Sequence, residues 1–174
     1  MKKLLTLALA IGLMSFASLA NAVTPLTIFV EADGTAVLTN TTADAIQFDS
    51  YQITSASGDL DVDGWRSIGD AVAADAVAVI GSLGAGALAF GEANPGASQL
   101  AELNLAGSAS LPGGGTFSLG KPFTGGQGTD AAAKFGIIGV GPTEPVDIVA
   151  VPEPATVVMA AMALLGLVGY IRRR

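Results

Sequence analysis

The 174-residue chain contains neither cysteine nor histidine. Without cysteine there is no disulfide and no thiolate, so the fold has to be held by its core. Without histidine the commonest general base and the commonest transition-metal ligand are both missing. Ser-His-Asp and Cys-His catalysis are excluded, as is a zinc site of the usual kind. Paired carboxylates, as in glycoside hydrolases, stay open, but the fourteen acids between Val23 and Val151 always offer some pair, so a pair alone is no signal. Bases are scarce in that stretch, where only Arg66, Lys121 and Lys134 stand against those acids and the net charge is −11. Nucleic acid is therefore excluded as a partner, because binding it needs Lys and Arg to neutralise phosphates. An anionic membrane surface would repel the segment, and the plain consequence of its acidity is solubility.

What is present in strength sits at the two ends. Lys2-Lys3 is a basic start, Leu4 to Leu19 is an apolar core, and Ala20-Asn21-Ala22 is a small-x-small cleavage site. That order predicts a secretory signal peptide over 1–22, with the mature chain beginning at Val23. Near the other end, Val151-Pro152-Glu153-Pro154 precedes an apolar run from Ala155 to Ile171, followed by Arg172-Arg173-Arg174. As a helix those seventeen residues span about 25 Å at about 1.5 Å per residue, a thin bilayer crossing. Three arginines behind the run place the C-terminus in the cytoplasm and the preceding residues outside. Ala160, Ala163, Gly166 and Gly169 recur every third position, spacing that suits a close-packing helix face.

Residues 23–151 then form one domain, long enough to bury a core. Leu26 to Val30, an Asp33-Gly34 turn signal and Ala36 to Leu38 predict a hairpin, and Asn40-Thr41-Thr42 a polar break. In Ile46 to Thr54 the pair Ile46 and Phe48 has one phase and the pair Tyr51 and Ile53 the other, which predicts a bulge. Ala101, Leu103 and Leu105 alternate with Glu102 and Asn104, and Phe117 and Leu119 with Thr116 and Ser118, as half-buried strands do. Lys134 to Val140 and Val146 to Ala150 are further strand candidates. The stretch Asp70 to Leu83 reads both ways, its alanines favouring helix and Val77, Val79 and Ile80 favouring strand. Glycine-rich segments at 84–91, 113–115 and 125–128 read as loops or tight crossings. The expected fold is all-β, a jelly-roll-like antiparallel β-sandwich flanked by the signal peptide helix and the transmembrane helix.

One internal constellation has metal chemistry in it. Asp59, Asp61, Asp63 and Gly64 fit the opening of a calcium loop, with Asp70 at the twelfth position, where alternate oxygens wrap one cation and the glycine permits the turn. Against this stand an Asp where the helix-loop-helix form closes with Glu, and Arg66 beside the proposed ion. The closing Asp resembles dockerin loops, but a dockerin carries two such loops and this chain has one. The other reading is a solvated acidic turn anchored by Leu60, Val62 and Trp65. Calcium is the one cofactor under consideration. Trp65 and Tyr51 likewise read two ways, as a sugar-stacking surface or as core anchors.

The C-terminal tripartite pattern, Val151-Pro152-Glu153-Pro154, apolar helix and arginine cluster, resembles the PEP-CTERM sorting signal of Gram-negative bacteria. The resemblance implies division into a motif at 152–154, a helix at 155–171 and a basic tail at 172–174. It implies processing by exosortase, an integral membrane enzyme, in cells that make exopolysaccharide and biofilm matrix, so that the helix is a temporary inner-membrane anchor. Pro152 and Pro154 hold the motif extended outside the bilayer. A second resemblance rests on Tyr51-x-Ile53-x-Ser55-x-x-Gly58-x-Leu60, Trp65-x-Ser67-Ile68-x-Asp70, Leu103-x-Leu105-x-Gly107 and Leu119-Gly120, which is similar to a β-sandwich module of exported PEP-CTERM proteins. It carries fold and location, without an activity. Signal peptidase and exosortase are the expected processing partners. The expected function is a non-catalytic envelope or matrix protein, with a carbohydrate-binding or carboxylate-based polysaccharide-modifying domain as the alternative.

Overall fold

A computed structural model describes residues 24–124, 128–136 and 142–151. The signal peptide with Ala20 and Ala22, the helix 155–171, Pro152-Glu153-Pro154 and Arg172 to Arg174 lie outside the described residues. Among the described residues no helix is long and apolar enough to cross a membrane.

Among the described residues most of the regular structure is strand. In order it forms β1 (Leu26–Val30), β2 (Ala36–Asn40), β3 (Ile46–Phe48), β4 (Ser50–Ser55), α1 (Ile68–Leu83), a 3-10 helix (Ala85–Ala89), β5 (Phe90–Glu92), β6 (Gln99–Asn104), β7 (Ala109–Leu111), β8 (Thr116–Ser118), β9 (Ala131–Gly136) and β10 (Pro142–Ala150). Eight strands make one curled sheet in the order β5-β6-β4-β9-β10-β1-β2-β8, and β3 pairs with β7 beside it. Every pairing is antiparallel except β1 with β10. Helix α1 packs against both edge strands, β5 and β8, and so closes the curl.

The first hairpin follows its turn chemistry. Val30 pairs with Ala36, Glu31 N–H donates to Thr35 O (2.8 Å), and Gly34 takes the positive φ of 86° that a side chain would resist. Asp33 accepts from the N–H and hydroxyl of Thr35 and pairs with Lys121 at 3.2 Å. Fully buried Asn40 then clasps the polar break. Its amide donates to the carbonyls of Asp44, Leu111 and Pro112, and its Oδ1 accepts from Thr42.

Three expectations are corrected here. The phase change within 46–54 is a break at Asp49 and not a bulge. β3 joins β7 in the small sheet while β4 pairs with β6 and β9, and Asp49 spans the gap by donating to Gly136 O (3.0 Å) and accepting from Asn104 N–H (2.7 Å). In β6 the core phase is Leu100, Glu102 and Asn104, whereas Leu103 and Leu105 face outward, Leu105 at 92% exposure. The acidic turn is anchored by Leu60 and Trp65, while Val62 is exposed. The ambiguous stretch resolves as helix α1, with a non-helical residue at Asp75 whose carboxylate accepts from Ala78 N–H. Ile68, Ala71, Val79 and Leu83 are its buried face.

β10 joins the two halves of the sheet. Pro142 to Val146 run antiparallel to β9, and Asp147 to Ala150 run parallel to β1. Each half thus has one partner strand, which is why a strand in the middle of the order tolerates two prolines.

Candidate functional site

The largest buried polar group in the described residues is Glu102, at 1% exposure. It sits on β6 opposite Tyr51 of β4 and Glu92 of β5. Tyr51 OH donates to Glu102 Oε2 (2.6 Å), the N–H of Ile68 donates to the same oxygen (2.7 Å), and the N–H of Gly69 donates to Oε1 (2.8 Å). Trp65 Nε1–H donates to Tyr51 OH (3.1 Å), the two rings standing edge to face at 6.4 Å. The first N–H groups of a helix have no partner within it and carry partial positive charge, so a carboxylate under α1 answers both needs. Ser67 completes the cap by accepting from Asp70 N–H (2.9 Å).

Burial raises the Glu102 carboxyl above its ordinary value, against the pull of Tyr51 and the two backbone donors. Burial, and then the charge of Glu102, push the Tyr51 phenol well above its ordinary value. Shifted groups often mark active sites, but this pair is sealed: Tyr51 and Trp65 are 3% and 4% exposed. The network has the form of a helix cap and offers no approach to a substrate. Of their two readings, Trp65 and Tyr51 take that of core anchors and form no exposed stacking surface.

This carboxylate escaped the sequence reading because Leu103 and Leu105 look like the buried phase of β6. A usable signal was Ser67-x-x-Asp70, a capping pattern that marks a helix start in need of anions.

Three of the four aspartates considered for calcium have structural places of their own. Asp59 Oδ2 accepts from the Ser57 hydroxyl, Asp61 Oδ1 accepts from the N–H groups of Asp63 and Gly64, and Asp70 lies in the first turn of α1. Among the described residues no three acidic groups gather in a way that would hold a metal ion. Gly64 has its own reason: a Cβ there would stand 2.5 Å from Lys121 O, because the turn crosses the 119–121 backbone, where Lys121 N–H donates to Gly64 O (2.7 Å). Arg66 lies over the Phe117 ring at 5.8 Å. Close by, Asp130 accepts from the hydroxyl and N–H of Ser57 and from the Ser55 hydroxyl, which hold its pKa down to about 2.

The remaining site is where the domain ends. Val151, the one described residue of the expected motif, donates its N–H to Val30 O at 2.8 Å. Beside it a groove of about 650 Å³ runs over the outer face of β1 and β2, floored by Phe29 and Val37 and rimmed by Glu31 and Asp33. No catalytic set converges in it.

A mostly β, acidic domain whose last strand leads directly into a proline-flanked apolar segment defines a class: a folded cargo joined to a sorting signal. Residues 150–174 match the family model of the PEP-CTERM protein-sorting motif. The chain thus carries the mark of an exported, membrane-sorted protein handled by exosortase. No curated protein and no solved structure matches it.

Proposed function

We propose that this chain is a non-catalytic cell-envelope or extracellular-matrix protein, exported with a signal peptide, held in the inner membrane by 155–171 and then processed by exosortase. The observation that carries the reading is the sorting-motif match over 150–174. Its supports are the signal-peptide pattern of 1–22 and a domain in which the acids with shifted pKa values are occupied by structural bonds. In this reading the curled sheet is a jelly-roll-like sandwich closed by α1, and its acidity keeps the cargo soluble outside the cell. Exopolysaccharide is the medium in which it rests. Gram-negative cells with a biofilm matrix are the setting.

The test expresses the full chain in cells with and without exosortase and reads the mature ends by mass spectrometry. The expected result is an N-terminus at Val23 in both, and loss of the C-terminal helix only where exosortase is present. An identical C-terminus and identical membrane retention in both strains would sink the reading.

A further inference from the structure

The sorting-motif match begins at Ala150, and Ala150 is still inside β10. The first residue of the matched segment is therefore part of the sheet, and the second is bonded to it. Ala150 is in register with Val30, and Val151 N–H is bonded to Val30 O. An enzyme that handles a peptide in extended form uses the same backbone N–H and C=O groups, in the manner of an added strand. A cleft that grips the peptide along both backbone edges therefore competes with β1 for the edge that carries the Val151 N–H.

The end of β10 is held weakly. Of its nine residues only Val146 is buried, and Val149, Ala150 and Val151 are all exposed. Beyond Val146 the strand has β1 on one side alone. On its other side a groove of about 460 Å³ opens between β9 and β10, bordered by Ala131, Ala132, Ile148 and Ala150. Anchorage returns just upstream, where Ile148 packs on the core and Asp147 exchanges hydrogen bonds with Thr24 (3.0 and 3.3 Å). Few buried contacts and one-sided pairing are the conditions for local opening below the global unfolding free energy.

We propose that Val149 to Val151 form a releasable strap, and that its unzipping from Phe29 and Val30, hinged at Ile148, presents the start of the sorting motif to the processing enzyme. Release lengthens the extended tether by three residues, about 10 Å. The folded core stays intact because Val146 and Ile148 remain seated. The proposal rests on the reading of the chain as an exosortase substrate.

Phe29 and Val149 are opposite in register, and neighbouring strands lie about 4.8 Å apart, which suits a disulfide. The chain has no other cysteine to mispair. In exosortase-bearing cells the full chain with Phe29→Cys and Val149→Cys should be processed at least about tenfold more slowly when oxidised. Adding a thiol reductant should restore the rate, and each single variant should be processed like the parent chain. Parental rates in the cross-linked form would overturn the strap, while an unprocessed parent chain would overturn the exosortase reading instead. Hydrogen exchange on the full chain in detergent gives an independent measure that needs no cross-link. The amides of 149–151 should exchange at least about 100-fold faster than those of Ile28 and Leu38, and equal protection would refute the strap.

Discussion

Glu102 can stay in the core because its oxygens meet three donors there, two of them from the start of α1. Glu102→Gln keeps the shape but turns an amide NH2 toward a donor, so the variant should lose about 1–3 kcal/mol in urea unfolding. The pH dependence has a definite sign. Below the ordinary value of 4.5 the carboxyl is neutral both folded and unfolded. Because burial raises its value in the folded state, the native protein binds the proton more tightly, and the stability Glu102 contributes falls as pH rises from 4.5 through the raised value. The gap between parent and Glu102→Gln should accordingly narrow across that window and then level off. Asp130 has the opposite sign: its hydrogen bonds lower it to about 2, so its contribution is present above 3.8 and is lost as pH falls toward 2. Asp130→Asn should flatten the acid limb of the stability curve between those values, read from urea midpoints.

The elements show which local signals survive folding. Helix α1 bends at Asp75, whose φ of −156° and ψ of 84° are non-helical and whose carboxylate caps the second segment at Ala78. Asp75→Ala removes that cap and should lower stability by about 0.5–2 kcal/mol, measured by thermal unfolding followed by circular dichroism. The bend also explains why Val77, Val79 and Ile80 imitate a strand: one segment buries Val79 and leaves Val77 81% exposed. Hairpin β1–β2 was legible because Asp33-Gly34 is local turn chemistry. The break at Asp49 was visible as a phase change, but its meaning was not, since the choice of β7 or β6 as partner is made by distant residues. Glu102 was misread for the same reason, as the anion is demanded by a helix start elsewhere in the chain. The aspartate run of 59–63 resembled a metal loop because turn capping and cation binding both favour Asp before Gly. The sorting motif was legible because it is linear: proline spacing, an apolar run and arginines need no tertiary partner to be recognised.

At the scale of the molecule, β10 is what makes one sheet of two. Without it, β5-β6-β4-β9 and β1-β2-β8 share no hydrogen-bonded strand, and two new open edges appear. This strand is also the last of the described domain and runs directly into the sorting motif. In the proposed reading, export would complete the sheet only when the residues beside the motif have emerged, which would tie folding of the cargo to arrival of its signal. The released domain of residues 23–151 should unfold in a single cooperative transition, with fluorescence of buried Trp65 and circular dichroism giving the same midpoint. A chain of residues 23–141, which lacks β10, should show no cooperative melting and should expose Trp65, despite losing only one buried apolar residue, Val146. If the shorter chain melts cooperatively near the midpoint of the longer one, β10 is an appendage to a sheet that closes without it, and the coupling of folding to the sorting signal is wrong.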